Sequence, residues 1–281
     1  GYGGNVLVNG AVSPQNNKYS IEAGIGAPFE IGGNITGQNY GDYIFDGWVT
    51  NIWNEEELSN ILEQINFQDS IDDENELKAR DLEIVKKLNF YDNFIGEIRL
   101  DELRYAEGLV LPKNYYGEIH LNGLRSAKGL ILPINSRGLI SLNSLENAED
   151  LVLPNKYVGS IFLKGLKSAK GLIIEEGYRG YLNLSGLKTI ENLILPQKFY
   201  GVLDLSGLEI VNSFEIPKYA KAIYMDNLKS TKGLILSSEF TGILSFSEKI
   251  DKEELNLVFS NNFGGVIYIG SKSYKKDNLF I

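Results

Sequence analysis

The chain has 281 residues, 43% of them hydrophobic, a formal net charge of −10, no cysteine and a single histidine, His120. The missing cysteines exclude disulfides, thiolate metal sites and cysteine nucleophiles, and one histidine argues against a Ser-His-Asp triad and excludes a multi-histidine metal site. No run approaches the roughly 18–20 apolar residues of a membrane helix, so no membrane span is expected.

The charge is uneven. Residues 1–90 hold 15 acidic and 5 basic side chains, and the rest of the chain balances 22 against 22. An acidic front and a neutral body provide no field that attracts phosphate backbones, so no nucleic-acid partner is expected. The chain opens on Gly-Tyr without a basic-then-apolar leader, which reads as a processed product or an excised fragment.

Residues 1–52 form the first expected element. Eleven glycines fall within residues 1–50, among short alternating runs such as "NVLVNG" and "FEIGGNITG", and predict a glycine-rich β segment. The stretch "IGGNITG" is not a phosphate loop, because no Gly-Lys-Ser/Thr follows. Residues 53–90 predict a helical N-terminal cap. In Asn54–Ile65 an N-cap asparagine precedes Glu57 at the third helical position, and Glu76–Phe90 reads as a second, amphipathic helix. The acidic run Asp72, Asp73, Glu74 between them is a solvated helix entrance and lacks the spaced ligands of a calcium loop.

From residue 91 to 281 the chain repeats itself. Aligned on the glycine of Y-x-G-x-I-x-L, Gly96, Gly117, Gly138, Gly159, Gly180 and Gly201 fall 21 residues apart. Lys221 then takes the glycine's place after a one-residue deletion, Gly242 restores the spacing, and Gly265 closes a degenerate last copy. A fixed period of this length marks a solenoid, whose units bury their apolar faces only against near-copies. Each unit holds two strand-like runs. The first alternates apolar and polar residues, as in "GVLDLSGL"; the second is a short run such as Leu193–Pro196, ended by a proline that cannot donate the next ladder bond. The repeat glycine is expected to serve the tight corner into the next strand. The fold class is therefore mainly β: a right-handed solenoid of about eight to nine 21-residue coils, strand-turn-strand-turn, behind a helical N-terminal cap and a glycine-rich segment.

In Leu187–Phe199, "LKTIENLILPQKF", the spacing L-x-x-I-x-x-L-x-L-P follows the frame of leucine-rich repeats, and the L-x-L-P ending with an aromatic three residues on resembles the bacterial surface-antigen (BspA-like) subclass. The resemblance covers about residues 91–270. Proline replaces the asparagine of the usual frame, and a second strand replaces the customary helix. The resemblance implies a repeat fold that binds proteins on a strand face, without catalytic residues; no metal or cofactor is expected.

Three rows recur along the solenoid. Two residues before each repeat glycine stand Phe94, Tyr115, Tyr157, Tyr178, Phe199, Tyr219, Phe240 and Phe263, with Ser136 the exception; they predict a corner stack sealing the core, the alternative being a ligand-stacking platform. The middle of the second strand carries Val110, Ile131, Val152, Ile173, Ile194 and Ile235, interrupted by Glu215. Because strand side chains alternate, either this row or its neighbours must point outward. Two outcomes stand open: a coil broad enough to bury both, or an exposed aliphatic row covered by the N-terminal segment or by a second subunit. A homo-oligomer through Val110, Ile131, Val152, Ile173 and Ile194 follows from the last of these.

The first strand supplies positions that change identity from coil to coil. Arg99, His120, Ser141, Phe162, Asn183, Asp204 and Tyr224 occupy one row, and Glu97, Glu118, Leu139, Ser160, Tyr181 and Val202 occupy the row two residues earlier. A mixed polar and aromatic ladder is the usual binding face of a solenoid. The candidate partner-binding residues are Arg99, His120, Phe162, Tyr181, Asn183, Asp204 and Tyr224. The leading expectation is a non-enzymatic protein-binding module of bacterial or phage origin, with secretion or surface attachment ahead of a cytoplasmic location. Two alternatives stand beside it: the targeting or structural solenoid of a toxin or adhesin with its activity elsewhere, and an intracellular anti-defence or immunity inhibitor.

Overall fold

The computed structural model describes residues 51–275 apart from 66, 68, 69, 238 and 260–262. Of the glycine-rich segment expected over residues 1–52, residues 1–50 lie outside the described residues. The chain divides into two compact units, Gly1–Ile95 with Leu109–Pro112, and Gly96–Gly108 with Lys113–Ile281.

In the first unit, strand β1 (Ile52–Asn54) leads into helix α1 (Glu55–Gln64), followed by helix α2 (Glu74–Val85) and strand β2 (Phe90–Ile95). The Asn54 side chain accepts the Glu57 backbone N–H at 3.0 Å and the Glu57 carboxylate accepts the Trp53 N–H at 2.8 Å, so the predicted start of α1 is realised as a reciprocal cap. The second helix differs from expectation. Asp73 caps it by accepting from Asn75 and Glu76, both at 2.9 Å, which starts it two residues early. It stops at Val85 because Phe90–Ile95 pairs in parallel with β1, Ile52 opposite Phe90. Asp81 is fully buried and accepts from Arg80 Nε at 2.9 Å, the condition under which a buried carboxylate is tolerated.

The second unit is a β-solenoid of about eight turns, mainly β, with coils of about 21 residues. Nine parallel strands form its main ladder: β3 (Ile98–Arg99), β4 (Glu118–His120), β5 (Leu139–Ser141), β7 (Ser160–Phe162), β9 (Tyr181–Asn183), β10 (Val202–Asp204), β12 (Ala222–Met225), β14 (Ile243–Phe246) and β15 (Val266–Ile269). Their register keeps the repeat in line, Ile98 beside Ile119 and Leu203 beside Leu182 and Ile223. The second run of each coil gives two-residue strands that pair in twos: β6 (Val152–Leu153) with β8 (Ile173–Ile174), and β11 (Phe214–Glu215) with β13 (Leu234–Ile235). A third line of contact runs between them, at the bridges Tyr105–Ser126 and Asn147–Ser168, so the coil has three runs where the sequence reading expected two.

The coil at 159–179 shows the logic. Ile161, Leu163, Leu166, Ala169, Leu172, Ile174 and Tyr178 point inward and are buried, while Phe162, Lys164, Lys167, Lys170, Ile173 and Arg179 do not. Spacings of two residues in the first strand and three in the turns set this pattern. The repeat glycine has another role than the one expected. A Cβ on Gly138, Gly159 or Gly201 would stand 1.7, 2.0 or 2.3 Å from the carbonyl oxygen of the glycine one coil earlier, so the glycines stack to let the coils approach. Gly96 alone among the repeat glycines has a positive φ; left-handed backbone recurs instead one residue before the Leu that opens the second run. Gly108, Gly129, Gly171 and Gly233 fill that place with positive φ, and Asp150 and Asn192, the side chains that tolerate it best, stand in for glycine.

The aromatic row is the expected corner stack, with Tyr157, Tyr178, Phe199, Phe240 and Phe263 all fully buried and Tyr178 stacked on Phe199 at 5.7 Å. Two members depart. Phe94 belongs to β2 in the first unit and packs edge-on to Phe90. Tyr219 is 43% exposed and Ala220 takes the buried place, because the deletion before Lys221 shortens this corner by one residue. The last coil also differs. Asp251 accepts from Glu253 and Glu254 at 2.9 and 3.1 Å and starts helix α3 (Lys252–Phe259), which the repeat alignment did not anticipate. Strand β16 (Lys272–Tyr274) then returns antiparallel on β15 and covers that edge of the ladder, leaving no open β15 edge to recruit another chain.

Two tyrosines of the stack separate hydrogen bonding from packing. Tyr157 Oη donates to the Gly138 carbonyl at 2.7 Å, whereas Tyr178 Oη is buried with no hydrogen-bond partner among the described residues. Tyr178→Phe removes an unsatisfied buried hydroxyl and is expected to raise stability by about 1 kcal/mol; Tyr157→Phe should lower it by about 1 kcal/mol. Urea unfolding of both variants decides it, and a loss at Tyr178 equal to that at Tyr157 would show that its hydroxyl is satisfied.

Candidate functional site

The outward rows of the main ladder bring most of the predicted residues together. Parallel in-register strands place Ser160 beside Tyr181 and Tyr181 beside Val202, and in the next row Phe162 beside Asn183, Asn183 beside Asp204 and Asp204 beside Tyr224. Tyr181 Oη donates to Asp204 Oδ2 at 2.8 Å, and Asn183 Nδ2 donates to the same oxygen at 3.1 Å. The other Asp204 oxygen accepts the Ser206 hydroxyl at 2.5 Å and the Ser206 N–H at 2.9 Å. Asn183 Oδ1 is held in the same way by the Ser185 hydroxyl and N–H, at 2.7 and 3.0 Å. The Phe162 ring meets Tyr181 edge-on at 5.8 Å and carries Lys164 Nζ over its face at 5.3 Å.

Phe162, Tyr181, Asp204 and Tyr224 are half-buried, as contact residues on a sheet face should be. Asn183 is not. It is 4% exposed, and its amide is spent inside the network, so it positions Tyr181 and Asp204 and has little surface of its own to offer.

Arg99 and His120 lie on the same ladder near its first coils. Arg99 Nε and its guanidinium nitrogen donate to the two Glu97 oxygens at 3.0 Å each. His120 Nε2 stands 3.3 Å from Glu118 Oε1 and 3.5 Å from Glu97 Oε2. Glu97, Glu118 and His120 are the one group among the described residues whose donor atoms converge as metal ligands do, within 4.8 Å of one another. The bidentate Arg99 already neutralises Glu97, so the group is a partly exposed polar cluster built on the Arg99–Glu97 ion pair. Nearby, a shallow groove runs across Asp101, Arg104, Asn122 and Arg125 on the turn side of the same coils.

No protein-family model, curated protein or solved structure matches the chain.

One device escaped the sequence reading. Asp101, Asn122 and Asn143 follow the first strand at 21-residue spacing, and each accepts through Oδ1 the backbone N–H one coil later, from Asn122 at 2.8 Å, Asn143 at 3.1 Å and Lys164 at 3.0 Å. Ser141, 6% exposed, is bound into this ladder by donating to Asn122 Oδ1 at 2.6 Å. The signal was available as an Asp/Asn recurrence at one repeat position. It fixes the turn beneath the outward rows, satisfying turn N–H groups with side-chain oxygens.

Burial first, and then the hydrogen bond to Asp204 and its charge, push the Tyr181 phenol up from 10 to about 12. Burial pushes Tyr157 and Tyr178 up as well. A group whose folded pKa exceeds its unfolded value stabilises the fold fully below the unfolded value, so this contribution is whole below about pH 10 and is lost as pH rises through about 12. Alkaline titration followed by tyrosinate absorbance and circular dichroism should show these phenols ionising only as the solenoid melts. Titration of every tyrosine near pH 10 with the fold intact would refute the network.

Proposed function

We propose that the solenoid is a non-enzymatic protein-binding module, with the partner seated on the main-ladder face over Phe162, Tyr181, Asp204 and Tyr224. One observation carries this reading: two aromatic side chains and a carboxylate, half-exposed on adjacent strands, are fixed before any partner arrives, Tyr181 and Asp204 by hydrogen bonds and Phe162 by its edge-on contact with Tyr181. Preorganised anchors lose little side-chain entropy on binding, and aromatic anchors ringed by polar groups are what interface centres use. Arg99, ion-paired with Glu97, and His120 beside it lie toward one end of the face, tune specificity and association rate and are not the main anchors. The leucine-rich-repeat frame, and with it a bacterial or phage origin and a secreted or surface setting, rests on the residue pattern in Leu187–Phe199 and belongs to the same proposal.

The test is to identify the partner by pull-down and measure its affinity for Phe162→Ala, Tyr181→Ala, Ile173→Ser and the wild type. Each ladder variant should weaken binding by about thirtyfold, corresponding to about 2 kcal/mol, with the fold unchanged by circular dichroism. Normal binding by both ladder variants, with loss in Ile173→Ser, would move the working face to the second run and overturn the proposal.

A further inference from the structure

The aliphatic row of the second run points outward. Ile131 is 54% exposed, Val152 38%, Ile173 51% and Ile194 76%, and Val152 and Ile173 are adjacent in register on paired strands. Glu215 follows Ile194 in the row, so an aliphatic patch ends there. An apolar stripe of this kind is unusual on the surface of a monomer.

Three residues upstream, at the corner leading into each of these runs, stands an exposed column of charges. It reads Lys128, Glu149, Lys170, Glu191, alternating in sign from coil to coil. A second charged column lies three residues further upstream and closes ion pairs within the chain, Lys167 with Glu146 at 3.0 Å and Lys229 with Glu209 at 3.2 Å. The alternating column closes none: Lys128, Glu149, Lys170 and Glu191 have no ion-pair partner among the described residues.

We infer that this face is a two-fold interface with a second copy of the chain. Consider two copies packed face to face about a two-fold axis parallel to the strands. Such an axis keeps each position along the strand opposite itself and reverses the order of the coils. Placed midway between the Val152 and Ile173 coils, it sets Val152 against Ile173 of the second copy and Ile131 against Ile194. The same axis sets Glu149 against Lys170 of the second copy and Lys128 against Glu191, four ion pairs in all. The apolar patch and the charge column both fit an axis of this kind, lying midway between two coils. A single-sign column would repel itself under this operation, and an axis passing through a coil would set like charges face to face. The alternation thus specifies a partner that carries the same column in reverse order.

The test is sedimentation equilibrium of the full chain from about 1 to about 500 μM, the range in which small interfaces associate. The wild type should be a dimer at the upper end, and its dissociation constant should rise with salt as the ion pairs are screened. Glu149→Lys, an exposed change that leaves the core untouched, should weaken the dimer at least tenfold, and adding Lys170→Glu should restore it by exchanging the central pair. Ile173→Ser should weaken it likewise. A wild type that stays monomeric across the range overturns the inference, as does a dimer indifferent to Glu149→Lys and Ile173→Ser. A monomer whose melting temperature falls with Ile173→Ser also overturns it, and identifies a segment of the same chain as the cover.

Discussion

Gly159→Ala is expected to cost more than about 3 kcal/mol, beyond the usual range for overpacking a core by one methyl group. The added Cβ would stand 2.0 Å from the Gly138 carbonyl oxygen and 2.6 Å from the Arg137 carbonyl carbon, and both obstacles are backbone. Neither can move without separating two coils whose N–H and C=O groups are bonded across that gap, as Ser160 N–H is to Gly138 O at 2.9 Å. Gly177→Ala is the control. Gly177 has φ +89 and its nearest neighbour is the Asn155 Cβ at 3.9 Å, so only left-handed strain of about 1–2 kcal/mol opposes an alanine there. Urea unfolding of the two variants separates the causes. Equal losses would mean that the repeat glycines serve backbone conformation, as the sequence alone suggested, and that close approach of the coils contributes nothing.

The difference between those two explanations shows what the sequence could convey. A 21-residue period is local information repeated: residues like Ile161, Leu163, Leu166, Leu172 and Tyr178 recur from coil to coil, with exceptions such as Ser136, because each faces the same interior, so the solenoid was legible. What lay out of reach depended on which residues sit beside each other across coils or across a long separation. The end of α2 is set by the pairing of Phe90 with Ile52, 38 residues away, and nothing in "EIVKKLNF" announces it. The stacked glycines look like turn glycines until the coil above is in place. Helix α3 is a different case, since Asp251 with Glu253 and Glu254 is a local start signal; fitting that stretch to the repeat hid it.

The candidate face divides in the same way. Alternation along the first strand identified Phe162, Tyr181, Asp204 and Tyr224 as outward, and they are half-exposed. Their hydrogen bonds link side chains on neighbouring coils, such as Tyr181 to Asp204, and so were not readable from either coil alone. Asn183 was read as a contact residue because its row faces out. Its burial comes from Tyr181 and Asp204 closing around it.

Phe199→Ala is expected to cost about 3–5 kcal/mol, whereas Tyr219→Ala should cost under about 1 kcal/mol, although the repeat alignment puts the two aromatics in one row. Phe199 is fully buried and stacks on Tyr178 with an interplanar angle of 18°, so truncation empties the corner of its coil and removes the support of the ring below. Tyr219 lies outside the stack, tilted against Tyr200 at 5.4 Å and beneath Lys218 Nζ at 4.8 Å, contacts made at the surface. The deletion before Lys221 therefore exchanges an aromatic for Ala220 in the core and turns the tyrosine outward. Filling the shortened corner tests this from the other side. Ala220→Phe should be destabilising, because Ala220 is already buried against a corner one residue too short for a ring. Thermal unfolding of the three variants gives the answer. If Tyr219→Ala proved as costly as Phe199→Ala while Ala220→Phe was tolerated, the aromatic stack would run unbroken through this coil and the outward Tyr219 would be refuted.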